Sequence, residues 1–258
     1  MIPIDLSGKQ ILLTGALGAI AEHVVKRLTD AGATVLATDI VPEAQAAATL
    51  RDWGVPAERV DYRRMDVTLP KEVEAGVTDF FDRFPGCDLV LGHAGGCELH
   101  SFDSTPAEIF ERIMRFNFLA QTHLARSILK EWSRRGTAGH LIFTSSYVAQ
   151  VPHVGIPAYA PAKAALECFA KCLALENAAR RIRVNCISPG NVATGSSLKV
   201  YDADPNYRAF VDRVTPCGRR NTPEAVADAF LFLCSPLAAE WNGQTLHVDY
   251  GITIPKVG

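Results

Sequence analysis

The stretch Tyr159-Ala160-Pro161-Ala162-Lys163 sets a phenol and an ammonium one helical turn apart. Residues four apart on a helix share a face. Of the six tyrosines, only Tyr159 has a lysine at this spacing. A phenol with its ordinary pKa of about 10 holds little phenolate near neutral pH. Bringing it down to about 7 takes about 4 kcal/mol, part of which a nearby ammonium can supply. Such a pair suits proton transfer, an effect of about 10²–10⁴-fold in rate. Alone it is equally a solvated surface pair, so its position in the fold has to decide.

A second signal is TGALGAIA, residues 14 to 21, between the apolar run Ile11-Leu12-Leu13 and a helix-like segment. Strand, glycine turn and helix start make a seat for a pyrophosphate, because glycines let backbone N–H groups approach and the helix N-terminus favours negative charge. The expected cofactor loop is Gly15, Leu17, Gly18, Ala19 and Ile20. About 20 residues further on, Asp39 ends the next apolar run. A carboxylate there accepts hydrogen bonds from ribose hydroxyls and repels a 2′-phosphate, so NAD is expected rather than NADP.

Short apolar runs alternate with longer helical stretches and would position these groups. Strands are expected at Gln10–Thr14, Thr34–Asp39, Val60–Arg64, Leu89–Gly92, His140–Thr144, Arg183–Ile187 and Thr245–Val248. Helices are expected at Ala19–Ala31, Glu43–Trp53, Lys71–Phe84, Pro106–Arg134, Ala158–Arg180 and Pro223–Leu233. The alternation predicts an α/β fold, a single-domain Rossmann-type doubly wound parallel sheet of about seven strands with helices on both faces. Ligands then bind beyond the carboxyl ends of the strands. Asp39, Asp66, Gly92-His93-Ala94-Gly95, Ser145-Ser146 and Ser188-Pro189-Gly190 all fall there. The least regular stretch, Gly190 to Asn221, is a candidate lid or a plain surface insertion.

Taken in order, these segments resemble the short-chain dehydrogenase/reductases. The resemblance rests on Thr14–Ala21, Gly92–Gly95, Ser146, Tyr159–Lys163, Asn185–Thr194 and Gly243–Gly251, and covers essentially the whole chain. It implies that Asn117, Ser146, Tyr159 and Lys163 are catalytic. Tyr159 would exchange a proton with the substrate oxygen, and Lys163 would lower its pKa and hold the nicotinamide ribose. Ser146 would hydrogen-bond the substrate, and Asn117 would support a water chain to the lysine. Asp66 would contact the adenine edge, and Val192 and Thr194 the carboxamide. Val67, Ala94, Gly95, Pro189 and Gly190 complete the implied cofactor site. Val148, His153, Glu98 and Asn191 are the substrate-side candidates.

The implied activity is hydride transfer between NAD and a secondary alcohol or ketone, a sugar, polyol or hydroxy acid among the candidates. Reduction of a 3-oxoacyl thioester and a non-catalytic dinucleotide sensor stay open as alternatives. The loop departs from the family's common short form, which has glycine at positions 19 and 21 where this chain has alanine. The spacing Gly15, Gly18, Ala21 resembles a longer, extended subclass instead. Binding is still expected, with Gly18 supplying backbone freedom beside Ala19. His93 also departs, standing where the family has asparagine.

A net charge of -2 gives no basic balance for a nucleic-acid partner. No apolar run approaches the ~20 residues of a membrane helix, and no leader is read at the N-terminus. Seven cysteines lack framework or metal-ligand spacing. Reduced thiols, a cytoplasmic location and no metal are expected. The helices Pro106–Arg134 and Ala158–Arg180 carry apolar residues on more than one face, and family members commonly pair through them, so a homo-oligomer, a tetramer favoured, is expected.

Overall fold

The computed structural model describes residues 4–254. The two ends of the expected single domain, residues 1–3 and 255–258, lie outside the described residues. Seven parallel strands form one sheet in the order β3-β2-β1-β4-β5-β6-β7. They are β1 (Gln10–Thr14), β2 (Thr34–Asp39), β3 (Val60–Arg64), β4 (Leu89–Gly92), β5 (Gly139–Thr144), β6 (Ile182–Pro189) and β7 (Thr245–Val248). The strand order reverses between β1 and β4, so the crevice where ligands bind opens beside Thr14 and Gly92, which pair across it.

Alternation along each strand feeds two apolar layers. Ile11, Leu13 and Val35 face one way, against α1 (Ala19–Asp30) and α9 (Pro223–Cys234). Leu12, Leu36, Val90 and Leu141 face the other, against α3 (Pro70–Arg83), α5 (Ala120–Arg135) and α6 (Tyr159–Asn177). Helix α2 (Glu43–Asp52) flanks the β3 edge, where Arg63 and Arg64 are exposed. Charged side chains at an edge discourage pairing with another chain.

Three findings differ from the sequence reading. The run expected as one helix from Pro106 is α4 (Ala107–Met114), a π-turn over Arg115–Leu119, and then α5. The stretch expected to be irregular holds two helices, α7 (Gly195–Ala203) and α8 (Pro205–Val214). Asp204 caps α8 by accepting from the Asn206 N–H at 2.8 Å, and Pro205 fills the first turn. A bridge between Val192 and Asn221 closes the base of this two-helix unit. Finally, Gly18 does not supply unusual backbone freedom: its φ is -71°, and the left-handed residue is Gly15 at φ +67°. Ala19 is already helical, and Ala21 is buried in the core, where a methyl group packs.

Tight packing extends to the end of the sheet remote from the crevice. A Cβ on Gly139 would overlap the indole of Trp132, which is fully buried and donates to the Cys87 carbonyl at 3.0 Å. Gly139→Ala is expected to cost roughly 1–3 kcal/mol by overpacking. Urea denaturation checks this, and an unchanged midpoint would contradict it.

Candidate active site

The glycine loop leaves β1 through Gly15, whose Cβ, were there one, would lie 2.7 Å from the Ala94 Cα. Glycine is required there twice over, by the left-handed φ and by the close approach of the β4 turn. Helix α1 makes its first backbone bond from Glu22 to the Gly18 carbonyl, 3.0 Å. The N–H groups of Ala19, Ile20 and Ala21 thus precede the helical ladder and face the crevice end with the positive pole of the helix.

Two adjoining cavities occupy the crevice. The outer one, about 430 Å³, is lined by Gly15, Gly18, Asp39, Asp66, Val67, Ala94 and Gly95. The inner one, about 340 Å³, is lined by Gly18, Ala19, Ile20, Gly95, Ser146, Tyr159, Lys163, Pro189, Gly190, Val192 and Thr194. Gly18, His93 and Gly95 belong to both and join them into one elongated cleft. Asp39 is held at the outer end by two backbone donors, Leu17 N–H at 3.1 Å and Ile40 N–H at 2.7 Å. Asp66 accepts from the Thr68 N–H at 2.9 Å and its hydroxyl at 2.7 Å. Arg64 pairs in register with Asp39 across β2 and β3 but sends its guanidinium to Glu72, 3.2 Å away.

At the inner end, Ser146 follows β5 and lines the same cavity as the Tyr159 phenol, whose phenolate it favours. Burial opposes this more strongly and pushes the phenol above its ordinary range. Lys163 is 2% exposed and donates from Nζ to the Thr144 carbonyl at 2.8 Å. Its Nζ lies 5.6 Å from the centre of the Tyr159 ring. Burial brings its pKa down to about 8. Burial thus disfavours both charged forms, phenolate and ammonium.

The remaining expected residues divide by position. Asn117 sits in the π-turn, behind the cleft. Its Oδ1 accepts from the Gly96 N–H at 3.0 Å, while Nδ2 donates to the Gly96 and Ile113 carbonyls at 2.9 and 3.1 Å. A Cβ on Gly95 would lie 2.9 Å from this Oδ1 and 3.1 Å from Lys163 Nζ, so the glycine keeps the space between them open. Val148 is buried beneath Ser146, and its N–H is 3.5 Å from the serine Oγ. Asn191 is buried and accepts from the Tyr147 hydroxyl at 3.3 Å. His153 packs its ring against Tyr147 and Phe210, with centroids 6.3 and 4.9 Å apart. Glu98 is clasped by both terminal nitrogens of Arg112, at 2.5 and 2.7 Å. None of these five lines either cavity.

Several cleft residues went unrecognised in the sequence: Arg112, Arg115 and Phe116 at the outer end, and Cys97, Thr144 and Gly195 at the inner. Their types carry no chemical spacing; the β4 turn (Cys97), the end of β5 (Thr144), α4 with its π-turn (Arg112, Arg115, Phe116) and the start of α7 (Gly195) bring them in. His93 takes up the asparagine position by bonding across the sheet end, with Nδ1 2.9 Å from the Thr144 Oγ1. Burial and the Lys163 ammonium hold its pKa down at about 4.

A family model described as enoyl-(acyl carrier protein) reductase matches residues 15–253. A 3-oxoacyl-[acyl-carrier-protein] reductase of Chlamydia pneumoniae is 32% identical over 250 residues, 97% of this chain and 99% of the relative. A short-chain type dehydrogenase/reductase of Mycobacterium marinum superposes with a TM-score of 0.85 at 27% identity, over 97% of each chain. The chain belongs to the short-chain dehydrogenase/reductase family. Another solved member, a 3-ketoacyl-(acyl-carrier-protein) reductase of Brucella melitensis complexed with NADH, gives a TM-score of 0.86 at 26% identity, over 97% of this chain and 100% of that one. In this short-chain dehydrogenase/reductase the two-glycine loop reaches the crevice with Ala19 and Ala21 accommodated in α1.

The buried lysine makes the site measurable without any ligand. Its pKa in the folded chain, about 8, lies below the ordinary 10.5. Between those values the unfolded chain binds more protons, so stability rises with pH across that window. Relative to Lys163→Met, the wild type is expected to gain up to roughly 3 kcal/mol from pH 8 to pH 10.5. Chemical denaturation of both proteins across this range checks it, and a pH-independent difference would contradict a penalised ammonium.

Proposed function

We propose that the protein is an NAD-dependent oxidoreductase that interconverts a secondary alcohol and its ketone. The observation that carries this reading is the grouping of Ser146, Tyr159 and the buried Lys163 at the inner end of a cleft whose outer end is Asp39. The cleft suits a dinucleotide: Gly15 and Gly95 leave spaces a side chain would fill, and the N-terminus of α1 faces it. When bound, the nicotinamide donates or accepts the hydride. Gly95, Lys163, Pro189, Gly190, Val192 and Thr194 would hold that half, and Asp39, Asp66 and Val67 the adenosine half.

The chain's own task is the proton. Tyr159 moves it to or from the substrate oxygen, and Ser146 bonds that oxygen and the phenol together. Lys163 favours the phenolate by charge, at a place where low dielectric strengthens the effect. Asn117 acts by fixing Gly96 and with it the floor under Lys163. The α7–α8 unit serves as the lid, and Tyr147, bonded to Asn191, ties the segment after Ser146 to its base. The similarity to the Chlamydia pneumoniae reductase supports a second reading, reduction of a 3-oxoacyl thioester by the same residues. A cytoplasmic location fits seven free cysteines and the lack, among the described residues, of a helix long and apolar enough to cross a membrane. A homo-oligomer, with a tetramer favoured, fits the exposed Leu119 and Leu175 beside and on α6.

Tyr159→Phe is expected to lower kcat by about 10²-fold or more while changing NADH affinity little, because the lost oxygen handles the proton. Stopped turnover with fluorescence titration of NADH tests this, and near-normal kcat in the variant would remove Tyr159 from the reaction. For cofactor choice, a phosphate about 4 Å from Asp39 is repelled by ~4 kcal/mol per charge pair before screening. With exposure and salt, about ten- to a hundredfold preference for NAD remains. Asp39→Ala should erode that preference in kcat/KM. Equal use of NAD and NADP by the wild type, or an unchanged ratio in the variant, would show that Asp39 does not read the ribose.

A further inference from the structure

Two loops frame the inner end of the cleft, one between β4 and α4 and the other between Ser146 and Tyr159. They are tied by the His100 N–H, which donates to the Gly155 carbonyl at 2.8 Å. Both present large apolar side chains to solvent. Leu99 and Phe102 lie on the first and Val151 and Val154 on the second, with Phe102 71% and Val154 92% exposed. Among the described residues, only Leu175 joins these two above 70% in the set of exposed large hydrophobics. Exposed apolar residues gathered at one place mark a surface that something covers.

Glu98 and His153, the titratable candidates on these loops, are already engaged. Glu98 is spent on Arg112 and His100. The His153 Nδ1 bonds the Val154 carbonyl at 2.7 Å, and its ring lies between aromatic rings. Beneath the loops, Tyr147, Val148, Ile156 and Ile252 form a separate buried apolar cluster against which Tyr159 packs. A polyol entering here would exchange water for hydrocarbon at most of its hydroxyls, an unfavourable transfer without new partners.

We propose that the substrate carries its reacting carbon on an apolar body, an aliphatic chain or alicyclic ring several carbons long, seated against Leu99, Phe102, Val151 and Val154. This rests on the oxidoreductase reading above and narrows it. The same hydrocarbon could belong to a free alcohol or to the acyl chain of a thioester.

The test is NAD reduction with 2-alkanols of four to ten carbons, alicyclic secondary alcohols, glucose, sorbitol, and 3-hydroxyacyl thioesters of matching lengths. Along the alkanol or the thioester series, kcat/KM is expected to rise about two- to fourfold per methylene until the rim is filled. A slope confined to the thioesters identifies an acyl chain, and a slope in the alkanols identifies a free substrate. Phe102→Ser and Val154→Ser should each cut the ratio of longest to shortest member about threefold or more, through KM. Flat or falling series, sugars used as well as the longest members, or a ratio unmoved in both variants would overturn the inference alone. A protein that turns over nothing in the panel would overturn the oxidoreductase reading and the inference with it.

Discussion

A lysine held almost entirely out of water is the constraint around which the cleft is organised. An ammonium in such a place is costly unless hydrogen-bonded. Lys163 therefore fixes the end of β5, whose Thr144 carbonyl receives it. It also fixes the residue opposite: a side chain at position 95 would intrude on the ammonium and on Asn117 together. Asn117 in turn occupies a π-turn, a local rewinding of the α4–α5 run that aims its amide at Gly96. Such turns occur often at functional sites because they re-aim one side chain without ending the helix.

The same burial acts on Tyr159. Burial lifts the phenol and depresses the ammonium, so both charges are disfavoured there. A positive charge beside the phenol, and Ser146, tilt the balance the other way. His93 stays neutral and bonds Thr144, so the imidazole adds no competing titration near neutral pH.

How much of this was legible in the sequence depended on how local its cause is. All seven strands were, because parallel strands covered on both faces read as short apolar runs between turn residues. Only small boundary changes separate β5 and β6 from expectation; β6 runs on to Pro189, which pairs with Val248. Thr222-Pro223 caps α9 ahead of an apolar run, whereas the equivalent Asp204-Pro205 of α8 stands amid polar residues that hide the same signal. The π-turn had no signal, since Arg115-Phe116-Asn117-Phe118-Leu119 reads as ordinary helix. Glu98 looked free for substrate because its partner Arg112 is neither at helical spacing nor across a strand pair. Ala19 looked like a conflict because spacing alone hides that the left-handed residue is Gly15.

The central claim, that the buried pair holds Tyr159 neutral until a positive charge joins it, can be observed directly. Phenolate absorbance near 295 nm is titrated in the wild type, with Tyr159→Phe subtracted, in the absence and presence of NAD. The account predicts no Tyr159 phenolate below about pH 10 in the free protein and its appearance at distinctly lower pH with NAD. Phenolate at neutral pH in the free protein, or a titration that NAD leaves in place, would contradict it.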